Sequence, residues 1–134
     1  MSAFVGSILI WQSSGRRLVR NFGYYKVNLR TNRIGDGVMF IVLLKYVKPL
    51  SVVDDFIQEH VDFLDKHYKK GDFIFSGRRD PRIGGVILVN SNDENAVKEI
   101  IKEDPFYKNQ VADYELIKFS PTKYDDKFSP FINS

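Results

Sequence analysis

Residues 40–71 read FIVLLKYVKPLSVVDDFIQEHVDFLDKHYKKG, and the change of hydrophobic period inside this stretch decides the fold class. Phe40 to Lys48 is almost continuously apolar and rich in β-forming residues, the pattern of a strand buried on both faces. Pro49 ends it. Beyond Ser51 the apolar residues Val53, Phe56, Ile57, Phe63, Leu64 and Tyr68 recur at three- and four-residue spacing, so they form one stripe of a helix. Ser51 with Asp54 three positions later resembles a capping box in which Asp replaces the preferred Glu. Lys69-Lys70-Gly71 closes the helix: the cations lie near the negative end of its dipole, and the glycine is free to adopt positive φ.

Outward from this stretch, Asp72 to Ser76 and Ile83 to Ser91 read as the next two strands, joined by a hairpin loop through Gly77-Arg78-Arg79-Asp80-Pro81-Arg82. Ser91-Asn92-Asp93 offers caps for a second helix with Ala96, Val97, Ile100 and Ile101 as its apolar stripe. Asp104-Pro105 stops that helix, Ala112 to Phe119 reads as a fourth strand, and Pro121 ends the regular part. The order is β-α-β-β-α-β, an α+β chain on the ferredoxin-like plan, with a four-stranded antiparallel sheet carrying both helices on one face. The other face would be an exposed apolar surface, which makes burial against a second copy, a homodimer, the expected solution.

The 134-residue chain is expected to hold one domain at 39–121, a basic extension at 1–38 and a tail at 122–134. Six of the 20 Lys and Arg precede Met39, against one of the 17 acids. The pI of about 9.1 therefore comes from the first 38 residues, and the slightly acidic remainder argues against a nucleic-acid partner. In the extension, Phe4 to Trp11 is a candidate strand, and the Arg-rich, acid-poor composition resembles a transit peptide. Ile34-Gly35-Asp36-Gly37-Val38 would be encoded by purine-rich codons like those of a ribosome-binding site, making Met39 a candidate start. The extension is expected to be poorly ordered or loosely docked. No cysteine is present, which removes disulfides and thiolate chemistry and fits a cytoplasmic protein. No run reaches the roughly 20 apolar residues of a membrane helix.

His60 falls near the middle of the stripe drawn by Val53, Phe56, Ile57 and Leu64, so its imidazole points inward. Two readings stand: a hydrogen-bonded core histidine, or a general acid/base held by a carboxylate. Asp104 is the candidate partner, since a carboxylate at a helix C-terminus is disfavoured by the dipole and pairing with imidazolium would offset this. It is equally readable as a plain helix stop. His67 shares the side of His60 but lies at the helix end, where a semi-exposed surface histidine is expected. Ser76 and Gly77 stand where the second strand enters its loop. Arg78, Arg79 and Arg82 cluster beyond them as either an anion site or a solvated hairpin tip. Gly84-Gly85 fits a bulge or close backbone approach to a ligand. The seven-residue spacing of His60 and His67, with Asp62 pointing elsewhere, gives no metal site.

Three stretches together resemble the YciI-like (YCII-related) family: Glu59-His60-Val61-Asp62-Phe63-Leu64, Phe73-Ile74-Phe75-Ser76-Gly77, and Glu103-Asp104-Pro105-Phe106, with Tyr114 to Phe119 agreeing as the ending. The resemblance covers residues 39 to about 121. It implies a dimeric α+β barrel and a His-Asp pair, falling on His60 and Asp104, with Ser76 lining the same cleft; Gly77 and Arg78 beside it are the further candidates for substrate binding. It further implies cofactor-independent lyase- or isomerase-type chemistry, including dehydrochlorination, on a small organic substrate. A non-catalytic dimeric module that binds a metabolite or another protein is the alternative. In one departure, Phe56 and Ile57 occupy the turn before His60 where the family often places an arginine, so substrate anchoring is expected to fall to the Arg78–Arg82 loop.

Overall fold

The computed structural model describes residues 37–132 and the backbone of 27–28 and 33–34, which pair as a two-residue antiparallel ladder. The apolar run Phe4 to Trp11 and the other expectations for the basic extension fall outside the described residues. Gly37–Phe119 forms one compact unit. Its elements are β1 (Met39–Tyr46), α1 (Leu50–Lys69), β2 (Phe73–Arg78), β3 (Gly84–Val89), α2 (Glu94–Ile101), the single helical turn α3 (Pro105–Lys108) and β4 (Ala112–Phe119). All strand pairs are antiparallel, and the sheet order is β2-β3-β1-β4.

The core lies between the sheet and the helices. Phe40, Val42 and Leu44 of β1 point into it beside Ile87 and Val89 of β3, and Val53 and Phe63 of α1, Val97 and Ile101 of α2 and Phe106 of α3 complete it. These alternate residues share one face because successive strand side chains point to opposite sides. The other face carries Ile41, Leu43, Val86 and Ile117, which the ladder places side by side. A register shift between Phe73 and Phe75 lets two residues of the same parity part company. Phe73 opposite Val89 is buried, whereas Phe75 opposite Leu88 is half-exposed on the other face.

The helix ends show where local signals were read well and where they were not. Gly71 adopts a φ of 80° beyond α1, as the Lys-Lys-Gly ending implied. The capping box at Ser51 does not form: α1 begins at Leu50 after Pro49, and no side chain caps it. The carbonyl of Pro49 instead accepts from the amides of Val52 and Val53. Asp93 caps α2, accepting from the amides of Asn95 and Ala96. No helix among the described residues is long and apolar enough to cross a membrane. In the tail, Asp125 caps a 3-10 turn at Asp126–Phe128, which is followed by α4 (Ser129–Ile132).

At the start of β3 the backbones approach so closely that a Cβ on Gly84 would sit 1.8 Å from the carbonyl oxygen of Leu44. Main-chain atoms on both sides leave nothing flexible to yield. Gly84→Ala is expected to lower stability by about 3 kcal/mol or more, the upper end of overpacking costs, read as a fall in urea midpoint. A loss below about 1 kcal/mol would show that β3 relaxes freely there.

Candidate active site

Asp104 is fully buried at the junction of α2 and α3, and three donors converge on its carboxylate. The Phe106 amide donates to Oδ1 at 2.9 Å, the Tyr114 hydroxyl donates to Oδ2 at 2.6 Å, and His60 Nδ1 lies 2.8 Å from Oδ1. The expected reason for this placement needs correcting. Asp104 does not oppose a helix dipole as the last residue of α2; it caps the N-terminus of α3, with Pro105 at the first helical position. The side chain is therefore oriented by its own backbone turn as well as by its two aromatic partners.

With the carboxylate as acceptor, His60 donates from Nδ1, so Nε2 is the ring nitrogen not engaged by Asp104. The ring lies flat on Phe106, with centroids 4.2 Å apart and planes 8° from parallel. One hydrogen bond and one stacking contact thus fix both the tautomer and the plane. The imidazole side chain keeps 12% exposure, and Nε2 has no partner among the described residues. Tyr114 was read from the sequence only as a strand residue. Its burial, with the Asp104 charge beside it, pushes the phenol far above its ordinary range, so it stays a proton donor to Asp104 at all working pH. The signal that could have found it was its place on the helix-facing side of β4, where a phenol must have a partner.

His60 opens onto a cavity of about 270 Å³ between α1 and the β2-β3-β1 part of the sheet. Ile57, Leu64 and Phe106 give it apolar walls, and Ser76, Gly77 and Arg78 border it from β2. The Ser76 hydroxyl is 2.8 Å from that of Tyr68. The three loop arginines part: Arg78 faces the cavity rim, Arg79 donates to the Leu44 carbonyl, and Arg82 pairs with Asp54 of α1. Of the three, Arg78 alone borders the cavity, while its two companions have tertiary partners.

His67 overturns the expectation of surface exposure. It is fully buried, with Nδ1 2.7 Å from Asp72 Oδ2 and Nε2 2.9 Å from Glu103 Oε1. Both ring nitrogens therefore face carboxylate oxygens, and neither is left open to a ligand. Hydrogen bonds from Lys66 and then His67 hold the Glu103 carboxyl below its ordinary range. A depressed folded value means that this contribution to stability is complete above the unfolded pKa of about 4.5 and is lost as pH falls through the folded one. Glu103→Gln is expected to lower the urea midpoint by a constant amount above about pH 5, with the gap to the parent closing in more acid solution. A gap that does not depend on pH would refute the pairing.

The family model of the YCII-related domain matches residues 39–120. No curated protein matches the chain. Among solved structures, the chain resembles 5-chloro-2-hydroxyhydroquinone dehydrochlorinase (TftG) from Burkholderia phenoliruptrix AC1100, determined in complex with 2,5-dihydroxybenzoquinone. The TM-score is 0.51 at 19% identity, over 66% of this chain and 97% of that one. That likeness is one of fold, a four-stranded antiparallel sheet with helices. The match to the family model spans most of the chain, and the protein belongs to the YCII-related domain family.

Proposed function

We propose that the protein is a cofactor-independent lyase- or isomerase-type enzyme in which His60 moves a proton on a small organic substrate and Asp104 holds the imidazole for that task. The observation that carries this reading is the asymmetry of His60: Nδ1 is bound to a buried carboxylate, while the ring borders a cavity of small-molecule size. Nε2 takes a proton from a carbon or hydroxyl of the substrate, and the electron pair left behind forms a new π bond. In an elimination a leaving group such as chloride departs with its own pair; in an isomerisation the proton returns at another atom. Arg78 at the rim would hold an anionic substituent, with Ser76 and Gly77 beside it. The dehydrochlorinase activity and quinone ligand of the structural neighbour support this chemistry for the present chain.

The same reading includes a homodimer, the ferredoxin-like barrel in which two sheets pack face to face. Its support is the sheet face opposite the helices, where Met39 and Leu88 are covered but Ile41, Leu43, Val86 and Ile117 are incompletely buried. Such a surface is economically covered by its own copy.

Two experiments test these proposals. His60→Ala and Asp104→Asn should each lower kcat/KM by about 100-fold or more, the scale of general acid/base catalysis, with the urea midpoint showing that the variants remain folded. Substrates for this assay come from small hydroxylated or halogenated ring compounds and carboxylates, screened by the rise in Tm that native-state ligands produce. Full activity in both folded variants would leave the alternative, a non-catalytic metabolite-binding module. For the dimer, light scattering on the purified chain should give twice the chain mass of 15.6 kDa, and Leu43→Asp should return a monomer. A parent protein that is monomeric at high micromolar concentration would rule out the barrel.

A further inference from the structure

We infer that Gly85 is a specificity-determining residue of the cavity beside His60, and that its missing side chain selects flat ligands. This rests on the cavity being the substrate site. The ladder sets two rows of residues on the helix-facing side of the sheet. In one, Ser76, Ile87 and Val42 stand side by side, and Ile87 fills the space above the middle strand and is nearly fully buried. In the next, the row is Arg78, Gly85 and Leu44. Its middle position is bare, and the cavity lies there.

A Cβ built on Gly85 would meet one atom within 4 Å, the carbonyl oxygen of Gly77 at 3.2 Å. It would otherwise enter open space. The contrast with Gly84 separates two uses of glycine in one dipeptide: Gly84 is demanded by backbone crowding at 1.8 Å, whereas Gly85 faces the cavity. Neighbouring strands lie about 4.8 Å apart, so the bare strip between Arg78 and Leu44 is about two strand spacings wide. A strip of that width admits a single six-membered ring laid against the peptide planes. Its edge can then meet His60, while a substituent reaches Arg78. A puckered ring of the same size carries axial hydrogens on both faces and cannot lie flat on the strand. The cavity volume of about 270 Å³ also suits one substituted ring, since about 150 Å³ is enough for benzene.

The test uses the full chain, with benzoate and cyclohexanecarboxylate as probes matched in charge and heavy-atom count, and 2,5-dihydroxybenzoquinone as a third. Kd values are taken from titrations that follow the His60 ring resonances. The parent should bind benzoate about 10-fold more tightly than cyclohexanecarboxylate. Gly85→Ala should weaken both planar probes by about 10-fold, and Gly85→Val should abolish their binding, with unchanged amide spectra away from β3. If Gly85→Val does not fold, Gly85→Ala decides alone, because its single contact requires a shift of only a few tenths of an ångström. Equal binding of the two carboxylates by the parent, or undiminished planar binding in folded Gly85→Ala, overturns this inference and leaves the catalytic reading standing. Failure of all three probes to perturb His60 in the parent overturns both.

Discussion

The constraint on which the site depends is the burial of one carboxylate. Removing a charged group from water costs several kcal/mol unless good hydrogen bonds replace the lost hydration. Asp104, with no exposed surface, is compensated by donors from three parts of the chain: the α3 backbone, β4 through Tyr114, and α1 through His60. None of these is a sequence neighbour of the others. The carboxylate is satisfied only when α1 and β4 have docked on the same turn, so the interaction that fixes His60 also reports that the fold is complete. An apolar residue there would be less costly to bury, yet it could hold neither the tautomer nor the plane of the imidazole.

Two histidines on α1 show how environment divides one residue type into two roles. His60 and His67 lie about two turns apart on one side of the helix, and both pack on phenylalanine rings. His67 has a carboxylate at each nitrogen and is chemically closed. It joins the end of α1 to Asp72, just before β2, and to Glu103, the residue before Asp104. His60 has a carboxylate at one nitrogen only, and its other nitrogen has no partner among the described residues. Helical spacing made both candidates for inward positions, but it carried no information about which carboxylates would arrive from outside the helix.

The same limit explains how much could be read from the sequence. Strand and helix periods were sufficient for the order of the main elements, for the side of α1 that faces the core and for His60 pointing inward, whereas β1, read as buried on both faces, leaves Ile41 and Leu43 only partly covered. The pairing of His60 with Asp104 came from a helix-dipole argument, whose premise the cap on α3 corrects, and from motif resemblance, since spacing cannot join residues 44 apart. The cap at Asp104, the phenol of Tyr114 and the burial of His67 escaped because each depends on a contact made after the elements assemble. The loop arginines part for a related reason: proximity in sequence grouped three cations whose surroundings, the Leu44 carbonyl, Asp54 and the cavity rim, lie in different directions. Ser51 with Asp54 shows the converse. Its capping pattern was plausible locally, but the N-cap is Pro49, two residues earlier, and Asp54 serves Arg82 instead.

Why the cavity opens beside His60 and not elsewhere under α1 follows from how the space beneath the helix is filled. Toward its C-terminal end, Phe63, His67 and Phe73 interlock at ring separations of 5.0 to 5.7 Å, which leaves no room between helix and sheet. One turn earlier, the sheet offers Gly85 where a larger residue would complete the layer, and Phe106 supports the imidazole from the opposite side. The filled end anchors the helix; the unfilled end leaves a side chain of that same helix bordering a cavity. A reactive imidazole needs both conditions, because a ring held by a loosely packed helix would lose its orientation, and one held over a filled layer would have nothing to act upon.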